Sequence, residues 1–256
     1  MINKLKNMEL EYVRCFSDEK EFKNHIEFRD RIFRDTYTSN VSIIKSTVDD
    51  CELIDIINNE FGIFKRRGGD FLNLEINKYV SSEVIKKLLK RPKRIDRFNY
   101  LLIESAKCKS LEEKQSIYLK RVEGREEFKN LIDINVKDNE KILGKSYSLY
   151  RIKRKVKAYR DDKNNLESYL CYYKETPIGS CEVLRIDNVC KIEDVGILEK
   201  YRGNGFGTYM IKSLLEDNCK KGIEYTYLIT ERNGVAEKLY KKLGFIKLAE
   251  KTQLIW

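Results

Sequence analysis

The chain has 256 residues, 41% of them hydrophobic, with two prolines and a formal net charge of +10 at pH 7, which suits two globular domains and excludes a disordered or collagen-like chain. No apolar run approaches the ~20 residues that cross a bilayer, and Met1–Lys6 lacks the apolar core of a signal peptide, so no membrane partner is expected. Seven cysteines at 15, 51, 108, 171, 181, 190 and 219 form no Cys-x-x-Cys pair, and His25 is the single histidine; this reads as free thiols in a reducing cytoplasm, with no metal site.

In chain order, Leu10–Cys15 alternates as a strand. Asp18–Phe33 reads as a helix, with Phe22, Ile26, Phe28, Ile32 and Phe33 toward a core. Ser39–Ile44 reads as a strand, and Asp49–Gly62 as a helix capped by Asp49 or Asp50. The stretch 69–76 alternates strictly and predicts a half-buried strand. Ser81–Lys90 predicts a helix stopped before Pro92, and Phe98–Ile103 another strand. This order of elements indicates an α/β domain over residues 1–110. Its nearest approach to a phosphate loop, Arg66-Arg67-Gly68-Gly69, precedes a strand instead of a helix.

Lys109–Lys114 reads as a linker. A second domain over 115–256 opens with the strand 115–122, followed by helices near 125–138 and 146–160. Strands at 167–174, 177–186 and 189–198 come next, the first two joined by a turn at Glu175-Thr176-Pro177.

The last of these strands runs into Val195-Gly196-Ile197, a basic turn, and the start of a helix at Phe206-Gly207-Thr208. Gly203, Gly205 and Gly207 let backbone N–H groups approach a ligand with no side chain between, and the helix start adds unpaired amides and the positive end of its dipole. The natural occupant is a pyrophosphate. The dinucleotide fingerprint fails, because its third glycine would fall on Thr208 or Met210, and no Gly-Lys-Ser/Thr ends a Walker loop. What the segment does fit is Arg-x-x-Gly-x-Gly, filled by Arg202, Gly205 and Gly207. It resembles the loop that holds the coenzyme A pyrophosphate in the GNAT superfamily of acyl-CoA N-acyltransferases.

About thirty residues on, a strand at 222–230 leads to a short helix that begins at Asn233 and ends Leu243-Gly244-Phe245, which resembles the corresponding GNAT segment. The resemblance implies a mixed α/β GNAT fold for the second domain, acetyl-CoA as cosubstrate, and direct transfer to a primary amine in a ternary complex. It implies cofactor contacts from Val195, Gly196, Ile197, Arg202, Gly203, Asn204, Gly205, Phe206, Gly207, Thr208, Asn233 and Tyr240. Asn233 would meet the pantetheine arm, and Tyr240 would be the general acid. Glu193, on the strand and facing as Val195 and Ile197 do, is our choice of base, with Asp194 second. The family glutamate five residues before the Asn is Leu228 here, and the proline common in the turn is Glu199. The end of the first domain, strand then helix then strand, resembles the closing half of a GNAT domain, so residues 1–110 read as an α/β accessory domain, either a degenerate GNAT-like repeat or one unrelated to that family. Its candidate roles are to wall the acceptor cleft or to form a homodimer interface.

The positive charge is spread over both halves apart from two clusters, at 86–97 and 141–160. In GNAT proteins the helices around 141–160 line the acceptor site. Neither cluster is interleaved with the aromatic residues of a single-strand binder. RNA therefore stands as an alternative partner, and a small-molecule or peptide amine as the leading one. A coenzyme A-binding module without turnover is the other alternative.

Overall fold

The computed structural model describes residues 1–45, 48–68, 70–107 and 116–256. The expected linker at 109–114 lies outside the described residues. Two compact units emerge from the chain's contacts. One comprises Met1–Tyr100, Thr230–Glu237 and Lys247–Trp256, and the other Leu101–Ile229 and Lys238–Ile246.

The first unit contains α1 (Ile2–Arg14), β1 (Asp18–Glu21), β2 (His25–Arg29), β3 (Val41–Ile44), α2 (Asp50–Arg67), β4 (Asn73–Ile76), α3 (Ser82–Lys86) and the first part of β5 (Arg94–Glu104). Two expectations fail here. Leu10–Cys15 belongs to α1, because Leu5, Met8, Glu9 and Val13 form its buried stripe, a spacing visible only when the window begins before Leu10. Asp18–Phe33 is no helix. It is the antiparallel pair β1 and β2, in which Ile26 and Phe28 lie two apart and pack with Val13, Val41 and Ile43. β1 is exposed along its whole length, and its Asp-Glu-Lys-Glu sequence suits a sheet edge that must not recruit another strand. α2 begins as expected at Asp49, whose side chain accepts from the Glu52 amide at 2.8 Å, and runs on to a left-handed Gly68.

The second unit contains the rest of β5, then β6 (Ile117–Arg121), α4 (Arg125–Leu143), α5 (Lys145–Tyr159), β7 (Leu166–Tyr173), β8 (Thr176–Ile186), β9 (Val189–Ile197), α6 (Phe206–Lys220), most of β10 (Tyr225–Glu231) and the later part of α7 (Val235–Lys242). Strands β6 to β9 form an antiparallel run, and β10 returns parallel to β9 after the α6 crossover. The alternation of β7 shows how the layers form. Tyr169 and Cys171 enter a core shared with α6 and Tyr240, whereas Leu170 and Tyr172 enter a second core with Phe128, Leu131, Ile152 and Val156 of α4 and α5. Helices thus cover both faces.

The sequence reading contains no element after Phe245, yet β11 (Ile246–Ile255) is a full strand. It pairs antiparallel with β4, which in turn runs parallel to β3, and Leu254 and Trp256 complete the core of the first unit. Among the described residues no helix is long and apolar enough to cross a membrane.

Gly179 on β8 faces Ile197 on β9. A Cβ there would collide with the Gly196 carbonyl and lie 3.2 Å from the Ile197 Cα. Gly179→Ala is therefore expected to cost ~1–3 kcal/mol, read as a lower urea midpoint at unchanged slope. An unchanged midpoint would mean the two strands can part at no cost.

Candidate functional site

The site is built on an irregularity in β9. Ser180 faces Gly196 and Glu182 faces Glu193, so Asp194 and Val195 share the single opposing residue Cys181. This is a β-bulge, and Asp194 adopts a left-handed conformation, φ 51°, that non-glycine residues hold only when their surroundings enforce it. β9 pairs with β10 over Val189–Lys191. Among the described residues that pairing ends at Lys191, so the edge from Glu193 through the bulge to Ile197 has no partner strand on that side.

The enforcement comes from α5. Arg151, Lys155 and Tyr159 are four residues apart and so share one face of that helix. Lys155 donates to Glu182 at 2.6 Å and to Asp194 at 2.9 Å. Arg151 donates to both Asp194 oxygens at 3.1 Å and to Asn135 at 3.3 Å. The Tyr159 hydroxyl donates to the other Glu182 oxygen at 2.5 Å. Glu182 is 1% exposed and Lys155 8%. Burial, with the two carboxylates adding to it, pushes the Tyr159 phenol well above its ordinary range. Although burial works the other way, Lys155 and Arg151 hold the Asp194 carboxyl well below the usual carboxylate range. Asp194 is thus a fixed anion with little basicity, which removes it as second choice of base.

The turn after β9 is latched by Arg202, whose Nε donates to the Ile197 carbonyl at 2.7 Å and whose Nη2 reaches Asp138 of α4 at 2.7 Å. Asp138 comes this close because residue 196 is glycine; a Cβ there would lie 2.8 Å from the carboxylate. Gly203 and Gly205 both have left-handed φ, near 80°. Among the described residues, the amides of Gly203, Asn204 and Gly205 donate to no other group of the protein. The next three, from Phe206, Gly207 and Thr208, open α6 and have no intrahelical acceptor. The first turn of α6 carries no acidic side chain, so the positive helix end is uncompensated. A Cβ on Gly207 would meet open space. The result is six successive amides without an acceptor among the described residues, with open space at Gly203 and Gly207, a fitting cradle for a pyrophosphate.

Tyr240 is 8% exposed and shares a core with Val195, Ile197 and Phe206. Burial, with Glu193 and Cys181 contributing, pushes its phenol up to about 12. No hydrogen bond engages its hydroxyl among the described residues. Glu193 is one-third exposed and pairs at 2.9 Å with Lys191, itself 2% exposed. Asn233 lies in the segment that clusters with the first unit; it is exposed, has φ 63°, and donates its backbone N–H to Glu237 at 2.5 Å.

The structure therefore groups the strand end, glycine turn, helix start and Tyr240 within the second unit. Sequence reasoning missed Asp138 and the Arg151–Lys155–Tyr159 face. The signal for the latter was present as a spacing of four, hidden in a run that reads as uniformly basic. Much of that run is internally engaged: Lys141 pairs with Glu199 at 2.5 Å, and Arg160 stacks on Phe128 at 4.3 Å.

Lys155→Met leaves Glu182 and Asp194 short of a buried counter-charge, and an expected loss of ~3–5 kcal/mol follows. The folded pKa of Asp194 lies below its unfolded value near 3.9. Its contribution is therefore complete above about pH 4 and lost as pH falls through the folded value. Urea midpoints across pH should show wild type and Lys155→Met furthest apart near neutrality and converging in acid. A constant gap would mean the carboxylate is not what Lys155 stabilises.

Comparison with known proteins agrees with this geometry. Residues 128–245 match the model of the acetyltransferase (GNAT) family. An uncharacterized N-acetyltransferase of Bacillus subtilis (strain 168), CgeE, is 32% identical over 111 residues, which is 41% of this chain and 42% of that protein. A conserved Staphylococcus epidermidis protein of unknown function superposes with TM-score 0.76 at 16% identity, covering 93% of each chain. A GCN5-related N-acetyltransferase from Kribbella flavida superposes with TM-score 0.69 at 15% identity, covering 98% of this chain and 93% of that one; at such identities these two likenesses are of fold. Over residues 128–245 the chain is thus similar to the GNAT acetyltransferase family in sequence, and in fold to the two solved structures.

Proposed function

We propose that the GNAT region moves an acetyl group from acetyl-CoA to a primary amine by direct transfer in a ternary complex. The observation that carries this reading is the row of unspent amides from Gly203 to Thr208 at an uncompensated helix start. Those amides would hold the pyrophosphate, with Arg202 keeping the turn in shape and Asn233 expected at the pantetheine arm. Acetyl-CoA, when bound, supplies the activated thioester.

The chain's own groups have three tasks. The unpaired β9 edge from Val195 to Ile197 offers N–H donors where a carbonyl oxygen gains charge. An amine of pKa ~10.4 is neutral in fewer than about one molecule in a thousand at pH 7, a cost of ~4–5 kcal/mol. Glu193, partly exposed and so reachable through water, is the proposed base that helps offset it. Tyr240 stays protonated throughout the physiological range. Full transfer from a phenol near 12 to a thiolate near 8.5 is uphill by about 5 kcal/mol. Its contribution is therefore a hydrogen bond to the departing sulfur, completed by a proton relayed from the amine.

Acetyl-CoA should raise the melting temperature by linkage, and an amine panel followed by thiol release should identify an acceptor. Absence of any shift well above micromolar concentration would sink the proposal. Gly207→Leu, entering open space in a helix, should leave the unliganded melting temperature unchanged or slightly higher, yet abolish the acetyl-CoA shift. If the shift survives, the pyrophosphate lies elsewhere.

Tyr240→Phe should slow thiol release by ~10²–10³, the loss of one hydrogen bond to developing charge, with acetyl-CoA affinity unchanged. An unaltered rate would exclude the phenol from the transfer.

A further inference from the structure

The first unit holds an open cleft of about 470 Å³ between β5 and the segment that follows β10. Two arginines meet there. The Arg232 amide donates to the Arg97 carbonyl at 2.8 Å, which sets the two residues side by side. Both guanidinium groups lie over one ring, that of Tyr79, at 4.7 Å for Arg97 and 6.0 Å for Arg232.

Neither guanidinium has a close anionic partner of its own. Arg97 reaches the Val80 carbonyl at 3.4 Å, and its Nε is buried without any partner. The nearest carboxylate to Arg232 is Glu250 at 3.8 Å, and Glu250 is already engaged by Lys247. Of the acidic residues lining the cleft, Asp96 is neutralised by Arg94 at 2.6 Å, and Glu231 is exposed to solvent. Two like charges gathered on one aromatic face repel each other, and an anion between them relieves that repulsion. The planar donor fork of arginine matches the paired oxygens of a carboxylate or phosphate.

Asn233 lines the same cleft. It is held left-handed by its amide bond to Glu237, a side chain 3% exposed that also accepts from Asn99 at 2.9 Å.

We propose that this cleft binds a small molecule through a carboxylate or a phosphate on it. The inference rests on Tyr79, Arg97 and Arg232, all within the first unit.

The test uses the full chain and matched probes: α-amino acids against their carboxamides, and phosphoethanolamine against ethanolamine. Melting temperature is measured for each over a millimolar concentration series. At least one anionic probe is expected to stabilise wild type with at least tenfold higher affinity than its neutral partner, and the arm in which this occurs tells carboxylate from phosphate. Arg232→Gln and Arg97→Gln should each erase the difference. Arg97 is partly buried, so the exposed Arg232 carries the test if the first variant folds poorly. Equal behaviour of anionic and neutral probes in wild type overturns the proposal, as does a difference that survives Arg232→Gln.

Discussion

Lys155, buried between Glu182 and Asp194, is the interaction on which the second unit depends. A lone ammonium in that position would be costly, so its two carboxylates must stay where they are. One of them sits on a regular stretch of β8. The other sits on the bulge of β9, in a backbone conformation that an aspartate does not choose by itself. The same ion pair therefore satisfies a buried charge and fixes the strand's change of direction. Past that point β9 no longer pairs with β10, and its edge is left available.

A protein normally spends its backbone amides, because an unpaired buried one is expensive. Here two sets are left unspent, one along the edge after the bulge and one around the glycine turn. Their nature differs. The strand edge is opened by a side-chain network on the neighbouring helix, whereas the turn is opened by glycine at positions whose φ excludes most other residues. Arg202 links the two, since its guanidinium joins the end of the strand to α4 while its backbone begins the turn.

This difference explains what could be read from the sequence. A positive φ demands a residue type, so the turn left its mark in Gly203 and Gly205, and the helix start followed from it. The strand edge left no comparable mark: nothing in the letters of Asp194 announces a bulge, and Arg151, Lys155 and Tyr159 were concealed by the basic residues between them. In the first unit, Asp18–Phe33 has enough apolar residues for either period, and the choice of strands is made by pairing with β3, a tertiary fact. β11 was missed for a related reason. Its outer half is exposed, and its buried half, Lys251 to Ile255, mixes charged, polar and apolar side chains in a run with no clean alternation. The buried Lys251 is accommodated because Glu75 on β4 stands 2.9 Å away and Glu9 of α1 3.7 Å away.

The ionisable groups around the β9 bulge divide along the same line. Asp194 has gained so much from its two cations that it has little affinity left for a proton, and a base must have some. Tyr240 has the opposite history: burial beside Glu193 makes its anion unfavourable and keeps the phenol neutral. A carboxylate kept charged and a phenol kept neutral are both consequences of where burial and charge fall around one bulge. Glu193 lies next to Asp194 on β9, partly open to water and paired with Lys191. Of the three it combines access to solvent with a charge not committed to two cations, which is why the proposed transfer assigns the base to it.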